Sequence, residues 1–160
     1  MNFNSQTLHL SLPCHIPESL HSGWGDVKSI HDYVERRAAL MTLEHLEEVR
    51  LELPLLRIQF AGIAAARFPH LPGQLKLLAN FFQDSFDTVF QPVAAAAVKE
   101  AALALRYAAK NADIIPNFVE EIGYANNSLI VRTVLRRHQD VFHKYCRFRD
   151  ILWSNITLSA

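Results

Sequence analysis

The chain has 160 residues, half of them hydrophobic, and its 16 basic and 16 acidic side chains cancel to a formal net charge of zero. That length supports one well-packed core and is too short for two ordinary domains. The zero balance removes any general electrostatic argument for nucleic acid or for an acidic partner. Two cysteines, Cys14 and Cys146, form no CxxC pair, which argues against a disulfide framework or a zinc ribbon and for reduced thiols in a cytoplasmic setting. No signal-peptide pattern opens the sequence, and no apolar run approaches the length of a membrane span.

Taken in order, residues 1–25 read as an irregular N-terminal arm. Pro13, Pro17, Gly23 and Gly25 break any helical pattern there, although Thr7 to Leu12 alternates like a short strand. Residues 26–160 read as the helical domain. Asp26 can cap a long amphipathic helix in which Val27, Ile30, Val34, Met41, His45 and Val49 return near one face. Pro54 is expected to kink or divide that helix, with Leu55 to Phe68 continuing as a second piece. Phe68-Pro-His-Leu-Pro-Gly73 is the clearest turn. Gln74 to Phe90 then reads as an aromatic-rich helix with Leu75, Leu78, Phe82 and Phe86 or Val89 along a face. Phe81, Phe82, Phe86 and Phe90 offer more aromatic surface than one helix face can bury, which predicts a homodimer formed through helices.

From Pro92 to Tyr124 lies the stretch around which the rest is organised. Val93 to Lys110 is built of strong helix formers, and its small Ala94–Ala97 and Ala101–Ala102 surface lets neighbouring helices come close, so it is expected to be central. Asn111 offers a stop and Pro116 biases Ile115 away from helical geometry, which predicts a turn between them. Asp113 is placed to cap the short turn that follows, Gly123 to end it, and Asn126 or Asn127 to cap the next helix. That last helix is expected to run from Asn127 to Trp153.

Within this stretch, Ala104-Leu-Arg-Tyr107, then Ala112-Asp113-Ile-Ile-Pro116-Asn-Phe118, then Ile122-Gly123-Tyr124 resemble the core signature of the YkvA-like family of bacterial proteins of unknown function, over about residues 93–135. In that family an alanine- and leucine-rich helix runs into a Pro-Ile-Asp-Leu-Ile-Pro-Asp turn, then a Gly-Tyr or Gly-Leu step and usually two aspartates. Here Asn111, Asn117 and the pair Asn126-Asn127 stand where the family has its first proline, an acidic residue and the aspartates. Only Asp113 keeps an acidic position. The resemblance implies a helical fold and, because the family has no settled activity, little about chemistry.

The candidate site residues are therefore Asp113, Pro116, Asn117, Gly123, Asn126 and Asn127 at the turn, and Arg132, Arg136, His143 and Arg147 as a basic surface on the last helix. His31 with Glu35, and Glu44 with Glu48, have one-turn spacing that could direct two ligands to a metal, and Glu18-Ser-Leu-His21 spells Glu-x-x-His. No second Glu-x-x-His completes a site, so solvated helix charges are the better reading, and neither metal nor cofactor is expected. Cys14-His15 and Cys146 near His143 lack an orienting third group, which favours spectator thiols. The basic face has three explanations: pairing with the acidic first helix, contact with anionic lipid, or contact with a phosphate backbone. Internal pairing is favoured and nucleic acid is not expected.

These features predict an all-α, single-domain bundle of about five or six helices. Its expected role is a non-enzymatic interaction or regulatory module with a protein partner. The alternatives are a metal-dependent enzyme or hydrolase using Asp113 with Glu120 or Glu121, and a peripheral binder of anionic membrane.

Overall fold

The computed structural model describes residues 28–63, 66–91, 94–109 and 124–156 in full, and the backbone alone at Val27, 110–114 and 120–123. Six α-helices and one 3-10 turn make up the described residues, with no strand among them: α1 Val27–Ala39, α2 Leu43–Ala61, α3 Leu71–Phe86, α4 Ala95–Ile114, α5 Glu120–Arg137, α6 Gln139–Phe148 and the turn Trp153–Asn155. The expected all-α bundle is thus the observed one. The N-terminal arm and the strand-like Thr7 to Leu12 lie outside the described residues.

The first break falls at Leu40–Thr42, twelve residues before the proline expected to cause it. Thr42 has an extended backbone and its Oγ1 accepts the His45 N–H at 3.4 Å, while the Thr42 N–H donates to His45 Nδ1 at 3.1 Å. This is a capping box with histidine in the position usually held by Glu or Gln, and it satisfies two backbone donors at once. Pro54 lies inside α2 on an exposed surface. The backbone bond it removes is therefore lost on a side that water can reach, and the helix continues. Val49, Leu53, Leu56 and Phe60 form the buried stripe of α2, which ends at Gly62 and not at Phe68.

Helix α3 begins with Leu71 and carries Pro72 in its first turn, where a missing N–H costs nothing. Leu71, Leu75, Leu77, Leu78, Phe81 and Phe82 are buried around it. At its end Thr88 adopts a left-handed φ of 61°, and the Phe90 N–H returns to the Asp84 carbonyl at 2.9 Å. This closure folds Phe90 back over the bundle. Its ring packs 5.1 Å from Tyr145 and 6.1 Å from Phe81.

Helix α4 is central, in contact with α1, α2, α3 and α5. Ala97, Ala101, Ala102, Ala104 and Ala108 are all buried, and their small side chains allow four neighbours to approach. Asn111 is not the stop, because α4 runs on to Ile114, which still lies inside the Asn111–Pro116 interval expected to turn. The helix formers before Asn111 carry it through to the residue before Ile115-Pro116, where the proline constraint begins. Likewise Gly123, Asn126 and Asn127 are interior positions of α5, neither stop nor cap. Asn127 is 2% exposed, so packing decides its conformation in place of its capping tendency.

The last helix divides at His138, which has φ −121° and ψ 34°. Neither glycine nor proline marks that point. The Arg137 and His138 side chains both reach the same buried carboxylate, Glu100. Successive residues of an unbroken helix point about 100° apart, and the turned backbone at His138 brings the two side chains together. Helix α6 then buries Phe142, Tyr145 and Cys146. It closes at Asp150, whose φ is 53°, with the Ile151 N–H donating to the Cys146 carbonyl at 2.8 Å, the Schellman pattern. The final turn is tied to the bundle by Gln74, which is buried and donates from Nε2 to the Ile156 carbonyl at 2.9 Å.

Candidate functional site

Three features combine charge, burial or exposure in ways a simple bundle does not require. The first is a polar cleft of about 420 Å³ where α2, α3 and the segment after α6 meet. It is lined by Arg57, Asn80, Gln83, Asp84, Arg149 and Ile151. Arg57 donates from Nη1 to Asn80 Oδ1 at 2.7 Å and from Nη2 to Gln83 Oε1 at 2.8 Å. Arg149 donates from Nε and Nη2 to Asp84 Oδ2 at 2.8 and 2.6 Å, and the Tyr145 hydroxyl donates to that same oxygen.

Burial alone would raise the Asp84 carboxyl. The hydrogen bonds from Arg149 and Tyr145, with the charges of Arg149 and Arg57, outweigh it and hold the carboxyl below its usual range. Burial, followed by the bond to Asp84, pushes the Tyr145 phenol well above its ordinary value. Asp84 is therefore a carboxylate and Tyr145 a neutral donor around neutral pH.

The second feature is a charge cluster inside the bundle. Glu100, 1% exposed on α4, receives Arg137 Nε at 3.0 and 3.3 Å on its two oxygens and Nη2 at 3.1 Å. His138 Nε2 comes within 2.9 Å of Oε2. Arg137 also lies 3.7 Å from Glu35 of α1. Burial would raise the Glu100 carboxyl, but its contacts with His138 and Arg137 lower it overall. The cluster joins α1, α4 and α5.

The third feature is the outer face of α2. Leu51, Leu55 and Ile58 are spaced four and three residues apart, so they share one face, and they are 76, 58 and 73% exposed. Pro54 and Ala61 are exposed beside them.

The sequence-predicted residues fall elsewhere. Pro116 and Asn117 lie outside the described residues, as do the side chains of Asp113, Glu120 and Glu121. Asp113 is in the last turn of α4 by its backbone, one residue before the helix ends. The short turn it was expected to cap, near Pro116, lies outside the described residues. Asn126 is half-buried on α5.

The basic surface is not one helix face. Arg132 and Arg136 are on α5 and His143 and Arg147 on α6, with the break at His138 between them. His143 is half-buried and packs edge-on against Trp153 at 4.4 Å, its Nε2 enclosed without a hydrogen-bond partner among the described residues. Pairing with the first helix is made by Arg137 instead, and Arg132, Arg136 and Arg147 form no ion pair among the described residues. Cys146 is buried, and burial pushes its thiol up, away from the nucleophilic thiolate. Among the described residues, no three His, Cys, Asp or Glu side chains gather as a metal site would need, and no helix is long and apolar enough to cross a membrane.

The residues missed by sequence reasoning are Arg57, Asp84, Arg137, His138 and Arg149. Their only sequence signal is a charge on or beside an apolar stripe, which many solvated residues share. Comparison with protein-family models, curated proteins and solved structures gives no match.

Proposed function

We propose that this chain is a non-enzymatic helical interaction module whose contact surface is the outer face of α2, occupied by a second copy of the chain. The exposed Leu51, Leu55 and Ile58 stripe carries the reading. Contiguous apolar surface of this kind is costly to leave in water and is a common mark of an interface.

The expected homodimer keeps its place in this proposal on different grounds. The aromatic surface that first motivated it is absorbed within one chain: Phe81 and Phe82 are fully buried, and Phe86 and Phe90 pack against the core. The α2 face supplies the apolar contact in their stead. Charge along α2 sets its direction. Glu44, Glu47, Glu48 and Glu52 fall in the first half, whereas Leu53 to Ala61 carries no acidic residue, its one arginine, Arg57, being turned to Asn80 and Gln83 of α3. An antiparallel two-fold pair places each acidic half against the partner's acid-free half, and a parallel pair would oppose the carboxylates.

Leu55→Glu puts a charge at the centre of the stripe without touching the core. Light scattering coupled to size exclusion should give a dimer for the wild type and a monomer of equal helicity for the variant. A wild-type monomer at high protein concentration overturns the proposal.

A further inference from the structure

We propose that the cleft lined by Arg57, Asn80, Gln83, Asp84 and Arg149 binds a small oxyanion, the carboxylate or phosphate group of a soluble molecule. The proposal stands on the cleft's charge and donor inventory and is independent of the α2 contact.

Two guanidinium groups face one carboxylate, which leaves one positive charge over. Arg149 is matched by Asp84 at 2.6 Å. Arg57 has no ion pair among the described residues, and the partners of its Nη groups are two neutral amide oxygens. A guanidinium is donor-only, so Asn80 and Gln83 must both turn their oxygens toward Arg57, and their NH₂ groups remain as donors. The carboxylate's charge is already paired, since Asp84 Oδ2 takes Tyr145 and two nitrogens of Arg149.

The inventory is thus rich in donors and positive by one unit. An oxyanion supplies what is missing, because its oxygens accept several charge-assisted bonds from a guanidinium fork and neighbouring amides. The cleft volume, about 420 Å³, suits a small molecule. Arg57 and Asn80 are partly enclosed, which shields the charge from solvent more than a surface arginine would be.

The test uses the full chain titrated by calorimetry with sodium phosphate and with sodium succinate, against sodium chloride at matched ionic strength. Saturable binding of either oxyanion, absent with chloride, is the expected result, and which one binds tells tetrahedral from planar preference. Gln83→Glu is near-isosteric, lies at an exposed side chain and supplies Arg57 with a carboxylate from within the chain. It should weaken anion binding by roughly tenfold or more, as loss of a charged hydrogen bond would, while leaving the melting temperature of the free protein at or above that of the wild type.

Arg57→Lys provides a second reading, because it keeps the charge and loses the planar fork, and it should also weaken binding with helicity retained. Phosphatidic acid vesicles, assayed alongside, separate a lipid headgroup from a free anion. No saturable binding of either free oxyanion at tens of millimolar overturns the proposal, as does equal affinity in wild type and Gln83→Glu, or binding seen with the vesicles alone.

Discussion

Replacing Arg137 with methionine tests whether the charge cluster is what holds α4 and α5 in register. Glu100 is 1% exposed, and Arg137 supplies both oxygens with bonds of 3.0 to 3.3 Å. Methionine keeps much of the stem's apolar packing while deleting the charge, so the cost arises mainly from a buried carboxylate that has lost its strongest partner. Breaking one side of such a pair costs about 3–5 kcal/mol, a large share of the roughly 5–15 kcal/mol that separates folded from unfolded domains. His138 remains at 2.9 Å and keeps the loss toward the lower end.

The same cluster sets an acid dependence whose sign follows from the lowered Glu100 carboxyl. With its folded value below the ordinary 4.5, the contribution is complete above that value and is lost as pH falls through the folded one. Urea unfolding by circular dichroism at pH 7 and at intervals down to pH 3 measures both effects. Arg137→Met should unfold at lower urea and show a shallower acid decline. Adding Glu100→Leu to it should recover most of the loss, since an apolar pair replaces a broken ionic one. A single-variant loss under 1 kcal/mol, or no recovery in the double variant, would refute the reasoning.

Two further outcomes follow from the end of α3 and from the cleft. Thr88→Gly should stabilise the chain by about 0.5–1 kcal/mol, because a β-branched residue at a φ of 61° is strained and glycine is not; a thermal melt that falls would contradict it. Tyr145→Phe keeps the ring among Phe81, Phe90 and Phe148 and removes only the donor to Asp84, for an expected loss of about 1.5–3 kcal/mol at pH 7. Since the folded phenol titrates above its ordinary 10.0, the wild type should lose stability as pH rises past that value. The phenylalanine variant should lack this phenol-linked alkaline loss.

The order of helices was largely legible because apolar spacing is a local property of the chain. Val34, Val49, Leu75, Leu78 and Phe82 fall in the buried stripes that their spacing implied, and the alanines of α4 made a central helix the natural expectation before any packing was known. Helix limits were less legible because residue preferences compete with context. Asn111, Gly123 and Asn127 carry stop or cap preferences worth about a kilocalorie. Continued helix bonding and burial outweighed them, and Pro54 was accommodated because its lost bond faces water.

Tertiary structure alone decided which charges meet. Glu100 and Arg137, like Asp84 and Arg149, sit on different elements, and the sequence held several arginines with equal claims. Arg132, Arg136 and Arg147 were as basic as Arg137 and Arg149, but a side chain's partner depends on where its helix is turned and where the chain breaks. The break at His138 places Arg137 over a buried carboxylate. The left-handed turn at Asp150 closes α6 just after Arg149, which lies against Asp84. A local pattern can specify a helix and its apolar face, whereas a charge pair between elements requires the packed positions of both backbones.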